Sequence, residues 1–182
     1  MGGQTMQFHL YYGEGKGKTT AALGQALRAW GWGGRVLIVQ FLKDAAAPSG
    51  EVKAAAAMGR RWRVLRSRLP CAVLREPARE ERGELRRVTA ALIEKAAGEV
   101  GRGRYDVVVL DEALAAWKLG LLKVAEIRLV RRVAAEAGVK LFVATGRWAP
   151  KSLMTAADLV TEMREEKHPF KLGKKARQGI EY

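Results

Sequence analysis

Along its first residues the chain alternates. Met6, Phe8, Leu10 and Tyr12 fall on one side of an extended segment that halts at Gly13, and this spacing predicts a strand with one face packed more tightly than the other. The period then changes: Leu23, Ala26, Leu27 and Trp30 recur at helical spacing, with Gly31, Gly33 and Gly34 as stop signals. The first unit is therefore strand, glycine loop, helix. "RVLIVQF" reads as a second, buried strand, "GEVKAAAAMG" as a short helix and "RWRVLRS" as a weaker third strand. In "REERGELRRVTAALIEKAAGEV" the residues Leu85, Val88, Leu92 and Ala96 share one face, which predicts a third helix. "YDVVVLDEA" is apolar without interruption until its two carboxylates, as expected of a central parallel strand covered on both sides. Helices over 112–119 and 123–137, a strand at "VKLFVATG", a short helix at "PKSLMTAA" and a final strand at "DLVTEM" complete the series.

Strands and helices alternate throughout, with no repeat, linker or low-complexity block. The expected fold is α/β: a mostly parallel sheet with helices on both faces, forming a single domain over residues 1–182. In such sheets ligands sit beyond the carboxyl ends of the strands, and both "GEGKGKT" and "DEA" fall at such ends.

Composition narrows the chemistry. No stretch approaches the roughly 18 to 20 apolar residues needed to span a bilayer, and "MGGQTMQFHL" has neither the charged start nor the apolar run of a signal peptide. A cytoplasmic protein with no membrane partner is expected. Cys71 has no second cysteine to pair with, and with only His9 and His168 beside it there is no zinc-spaced cluster, so any metal is to be held by oxygen. The net charge of +14 includes ten arginines between Arg60 and Arg87 against four acids. Such a field attracts nucleic acid, nucleotides and acidic proteins alike, and runs of this kind most often form solvated faces. Nucleic acid is not the partner expected. Of the tryptophans, Trp30 and Trp62 are expected in the core, whereas Trp32, Trp117 and Trp148 fall nearer loops.

The glycine loop has a physical reading of its own. Backbone N–H groups of such a turn converge on one concavity, and the helix that follows adds the positive end of its dipole, a combination suited to phosphates. Lys18 supplies a mobile cation, Lys16 a second one, and the Thr19 hydroxyl can complete the shell of a bridging Mg²⁺ or Mn²⁺. Tyr12 stands where the usual phosphate-loop pattern has its first glycine, so the loop reads G-x-x-x-G-K-T from Gly13. Asp111 and Glu112 close a later strand, where a nucleotide-binding fold holds its metal-side carboxylates. One acid can reach the metal and the other can orient it or act as a base. The chain offers no Ser-His-Asp or Cys-His constellation for nucleophilic catalysis.

Several strings resemble the ATP:corrinoid adenosyltransferases, over nearly the whole chain. "GEGKGKTTAALGQALRAWGWG" is similar to that family's shortened glycine loop and helix, including Arg28; "VLIVQFLK" matches in Gln40, Phe41 and Lys43; "VVVLDE" resembles its carboxylate strand and "VATGR" the strand leading to Gly146 and Arg147. The final string, "EMREEKHPFKLGKKARQGIEY", matches in Lys167, His168, Phe170, Gly173, Ala176, Gly179, Ile180 and the closing Glu-Tyr. The resemblance implies a three-layer P-loop NTPase fold of RecA-like type and an unusual use of it. ATP lies reversed in the loop, Co(I) of a reduced corrinoid attacks C5′ of the ribose, and triphosphate leaves. It further implies an electron-donating reductase or flavoprotein and a homodimer. Together, residues and resemblance assign catalysis to Lys18 and Glu112. Nucleotide contact falls to Gly13, Glu14, Gly15, Lys16, Gly17, Lys18, Thr19, Thr20, Arg28, Gln40 and Arg147, and the metal to Thr19, Asp111 and Glu112. Where the family commonly presents aromatics to the corrinoid, this chain reads "SRLPCAV", with Leu69 and Cys71 at the nearest positions.

Overall fold

The computed structural model describes residues 5–47, 49–69, 77–167 and 177–180. Six strands form one sheet: β1 (Gln7–Tyr12), β2 (Val36–Gln40), β3 (Trp62–Leu65), β4 (Val107–Asp111), β5 (Leu141–Gly146) and β6 (Leu159–Glu162). Their spatial order is β3-β2-β4-β5-β1-β6, and every neighbouring pair is parallel. The connections are α1 (Lys18–Gly31), α2 (Gly50–Met58) with a 3₁₀ turn at Gly59–Arg61, α3 (Arg79–Val100), α4 (Ala113–Lys118), α5 (Val124–Glu136) and α6 (Lys151–Met154). A parallel sheet needs such crossovers, and the uninterrupted apolar runs of β2 and β4 follow from being covered on both faces, since every residue of both strands is buried.

Side chains alternate between two cores. Leu37 and Val39 of β2, Val108 and Leu110 of β4, and Phe142 and Ala144 of β5 meet α3, α4 and α5 on one face, joined by Phe8 and Leu10 of β1. Phe8 and Phe142 cross edge to face at 5.6 Å between centroids, an arrangement that contributes about 0.5–1.5 kcal/mol beyond area burial. Val36, Ile38, Val107, Val109, Leu141 and Val143 point the other way, toward Ala22 and Ala26 of α1 and toward Trp62.

The orientation of α1 differs from the apolar stripe read along it. Ala22 and Ala26 are the apolar residues buried against the sheet, while Leu23 is half-buried and Leu27 is 46% exposed. Small side chains let the helix lie close on the strands, and the larger apolar residues are left to line a cleft. Trp62 is core as expected, but Trp30 is half-buried beneath the Arg61 guanidinium, 5.1 Å from its ring. At the sheet's open edge β6 pairs with β1 and is exposed throughout.

Because all six strands run the same way, their carboxyl ends share one edge. The loop after β1, the turn after β2, the acids closing β4 and Arg147 after β5 are brought together there.

Candidate functional site

The loop between β1 and α1 is held from behind by backbone. Gly13 N–H donates to the Arg147 carbonyl (3.0 Å) and Gly15 N–H to the Met163 carbonyl (2.7 Å). A Cβ on Gly13, whose φ is +112°, would strike the Met163 carbonyl, and one on Gly15 would come within 2.5 Å of the Arg164 oxygen. Two of the glycines are thus required by the segment following β6 that packs beneath the loop, in addition to any need for close approach by phosphate. Their amides are engaged by protein, so the anion-facing donors come from the other end. There α1 starts at Lys18, after the N-cap Gly17, with no side-chain cap and no acid in its first turn. The first amides of a helix have no partner within it, and no acidic residue of the first turn of α1 competes with an incoming anion.

Lys18 is folded back over this turn. Its Nζ donates to the carbonyls of Gly13 and Gly15, both at 2.6 Å, and burial lowers its pKa against the opposing pull of Glu112. Lys16 donates to the Ile180 carbonyl at 2.9 Å, which brings the turn at 178–180 to the loop.

Asp111 is fully buried and saturated. Oδ1 accepts from the hydroxyls of Thr19 and Thr145, each at 2.8 Å, and Oδ2 accepts from Gln40 Nε2 and Lys43 Nζ, each at 3.0 Å. A carboxylate has about four acceptor positions, and these donors use them. Burial opposes ionisation of Asp111, but Lys43 and the hydroxyl donors outweigh it and hold the carboxyl below the usual range. Lys43 is held charged in the same way: burial lowers its pKa, while Asp111 and Glu51, the latter 3.3 Å away, raise it further.

Glu112 is the contrasting neighbour. Its backbone takes the left-handed conformation (φ 59°, ψ 16°), fastened by its N–H to Thr145 Oγ1 at 2.9 Å. A non-glycine residue there stores about 1–2 kcal/mol of strain, and the turn sends the side chain into the cleft instead of along the strand. Among the described residues its carboxylate accepts no hydrogen bond, and burial, followed by the charge of Asp111, raises its pKa.

A cleft of about 690 Å³ runs from these groups along α1 and α2. Lys16, Lys18, Thr19, Thr20, Lys43, Glu51 and Glu112 line its polar end, whereas Leu23, Leu27, Ala54, Met58 and Trp62 line its apolar end, with Gly179 and Ile180 at the side. A hard divalent cation suits the polar end: the Thr19 hydroxyl and Glu112 are oxygen donors, and no cluster of three acidic, histidine or cysteine side chains stands among the described residues.

Several expected residues sit elsewhere. Gln40 lies behind Asp111, away from the cleft wall. Arg28 is exposed on α1, 3.3 Å from Gln25, and Arg147 pairs with Glu14 at 3.6 Å on the surface beside the loop. Leu69 packs half-buried against the first core cluster, with its N–H on Asp44. Trp117 packs on that cluster too, Trp148 carries Lys118 at 5.8 Å from its ring, and Trp32 projects into solvent. Cys71, His168, Phe170, Gly173, Ala176, Glu181 and Tyr182 lie outside the described residues. Reasoning on sequence missed Arg66 and Ser49, which join Gln40 to α2; neither belongs to a motif, and an arginine among ten carries no distinguishing signal.

Comparison with known proteins adds to this geometry. The family described as ATP:corrinoid adenosyltransferase BtuR/CobO/CobP matches residues 4–182. A corrinoid adenosyltransferase of Pseudomonas aeruginosa is 35% identical over 176 residues, covering 95% of this chain and 82% of that protein. The Salmonella typhimurium corrinoid adenosyltransferase CobA is 31% identical over 173 residues, covering 95% and 84%. A Nostoc protein described as uncharacterized protein all2391 is 37% identical over 91% of this chain, which spans only 45% of that relative. A solved DNA replication initiation factor superimposes with a TM-score of 0.41 at 13% identity over 87% of this chain and 40% of its own, a likeness that carries no argument.

Proposed function

This chain belongs to the ATP:corrinoid adenosyltransferase family, and on that premise we infer that it moves the 5′-deoxyadenosyl group of ATP onto the cobalt of a reduced corrinoid. The electron pair of Co(I) forms the cobalt–carbon bond at C5′, the C5′–O bond breaks, and its pair departs with inorganic triphosphate. The observation that carries this reading is the two-ended cleft: cations and helix amides at one end, an apolar wall at the other, and no side-chain nucleophile needed between them.

Each residue then has a task. Lys16, Lys18 and the amides opening α1 bind the triphosphate and offset the charge that grows on it as the bond breaks. The Thr19 hydroxyl, oriented by donating to Asp111, and the Glu112 carboxylate would hold the cation, with Asp111 acting through Thr19 because its own lone pairs are used. Mg²⁺ or Mn²⁺, when bound, supplies further neutralisation of the leaving triphosphate. Leu23, Leu27, Met58 and Trp62 exclude water from the reacting carbon and metal, and the loop and wall together align them. The same reading calls for an electron-donating reductase or flavoprotein, a homodimer, and a cytoplasmic setting in which reduced cobalt is maintained.

Product analysis tests it. With ATP, Mg²⁺ and a corrinoid under strong reduction, adenosylated corrinoid and triphosphate are expected in equal amounts. ADP and phosphate, released faster in the presence of DNA or RNA, would instead identify a RecA-like ATPase.

A further inference from the structure

Among the nine residues of α2 none is buried; Ala55 and Met58 are the ones that rest, partly buried, on the second core cluster. A helix so lightly packed needs other restraint to serve as a cleft wall. It has two polar tethers to Asp111. Lys43 bridges Asp111 and Glu51 directly. Arg66, just beyond β3, supplies the second: its Nε donates to Gln40 Oε1 at 2.7 Å and its Nη2 to Ser49 Oγ at 2.8 Å.

Each end of that fork settles something. Gln40 is 1% exposed; its Nε2 donates to Asp111, and its buried Oε1 needs a donor on the opposite side. Arg66 is that donor. Without it the buried Oε1 would be left with no donor among the described residues, and the amide would be held from one side only, by Asp111. Ser49 is the N-cap of α2, accepting from Val52 N–H at 3.4 Å, so the guanidinium also holds the helix start. A planar fork meets both acceptors in fixed geometry, which an ammonium cannot do.

We propose that Arg66 is a positioning residue for adenosyl transfer, fixing through Gln40 the donor set of Asp111 and through Ser49 the first turn of α2. The cleft wall and the carboxylate that orients Thr19 thereby keep one mutual spacing. Arg66 itself does not line the cleft. The consequence for turnover rests on the function proposed above; the tether does not.

Arg66→Met and Arg66→Lys test it in the full chain. In ligand-free protein, hydrogen exchange at the amides of Val52 and Lys53 should accelerate by about tenfold in Arg66→Met and by less in Arg66→Lys, which can keep one of the two bonds. Turnover number should fall about tenfold in Arg66→Met while the dissociation constant for ATP moves less than about threefold, because Lys16, Lys18 and the amides opening α1, which bind the triphosphate in this reading, make no contact with Arg66. A merely structural role would lower melting temperature, ATP affinity and turnover together. Unchanged α2 exchange overturns the proposal whether or not the wild type transfers adenosyl. Faster exchange beside a wild type that makes no adenosylated corrinoid would leave the tether standing and remove the proposed function.

Discussion

Asp111 and Glu112 are adjacent carboxylates with opposite environments. Asp111 has four donors and a depressed pKa; Glu112 has none among the described residues and a raised one. Their linkage to stability therefore has opposite sign. Asp111 contributes stability that is present above the ordinary carboxylate value and lost as pH falls through its folded value. For Glu112, whose folded pKa is raised, the contribution is present below the ordinary value and lost as pH rises through the folded one. At neutral pH Glu112 thus works against folding of the ligand-free chain. Glu112→Gln should melt at a higher temperature than wild type at pH 7, with the gap closing as pH falls below the ordinary glutamate value, toward about pH 3, where the wild-type carboxyl is protonated in both states. The same variant should lose about 2–4 kcal/mol of transition-state stabilisation if Glu112 holds the cation. Melting curves at the two pH values and initial rates check both halves; a variant less stable at pH 7 would contradict the assigned environment.

At the scale of elements, α1 does two jobs with two faces. Ala22 and Ala26 seat it on the sheet, and Leu23 and Leu27 face the cleft. Leu27→Asn should change stability by no more than about 0.5 kcal/mol, as for other exposed helix positions, yet raise the Michaelis constant for nucleotide or corrinoid. Urea melts and steady-state kinetics separate the effects, and a destabilisation of several kcal/mol would place Leu27 in the core after all. Where hydrophobic spacing alone was used, this distinction was out of reach: periodicity identifies residues that share a face but not what that face meets. The helix α2 makes the complementary point, since its alanine-rich sequence forms a helix readily but offers little to pack, and its position depends on polar bonds from Glu51 and Ser49.

For the molecule as a whole, the charge of +14 bears on association more than on chemistry. Part of the basic cluster is spent internally: Arg63 pairs with Glu99 at 2.7 Å, Arg86 with Glu126 at 3.3 Å, and Arg66 bonds Gln40 and Ser49. Retention on DNA is expected to be non-specific, to fall steeply between about 50 and 200 mM salt, and to leave adenosyl transfer unaffected. Binding that survives higher salt and alters the rate would make nucleic acid a true partner.

Pattern along the chain sufficed for the order and type of the six strands and six α-helices, because alternation and the helical repeat are local, and for placing "GKGKT" and "DE" at strand ends, where a parallel sheet must gather them. It did not show that Gly13 and Gly15 are glycine because the Met163–Arg164 backbone lies against them, or that the lone pairs of Asp111 are already used. Those facts depend on partners far apart in sequence, such as Gln40 and Asp111 at a separation of 71, whose meeting leaves no periodic trace. Polar side chains at strand ends are paired by the sheet order, β2 beside β4 and β3 beside β2, and only the folded chain sets that order.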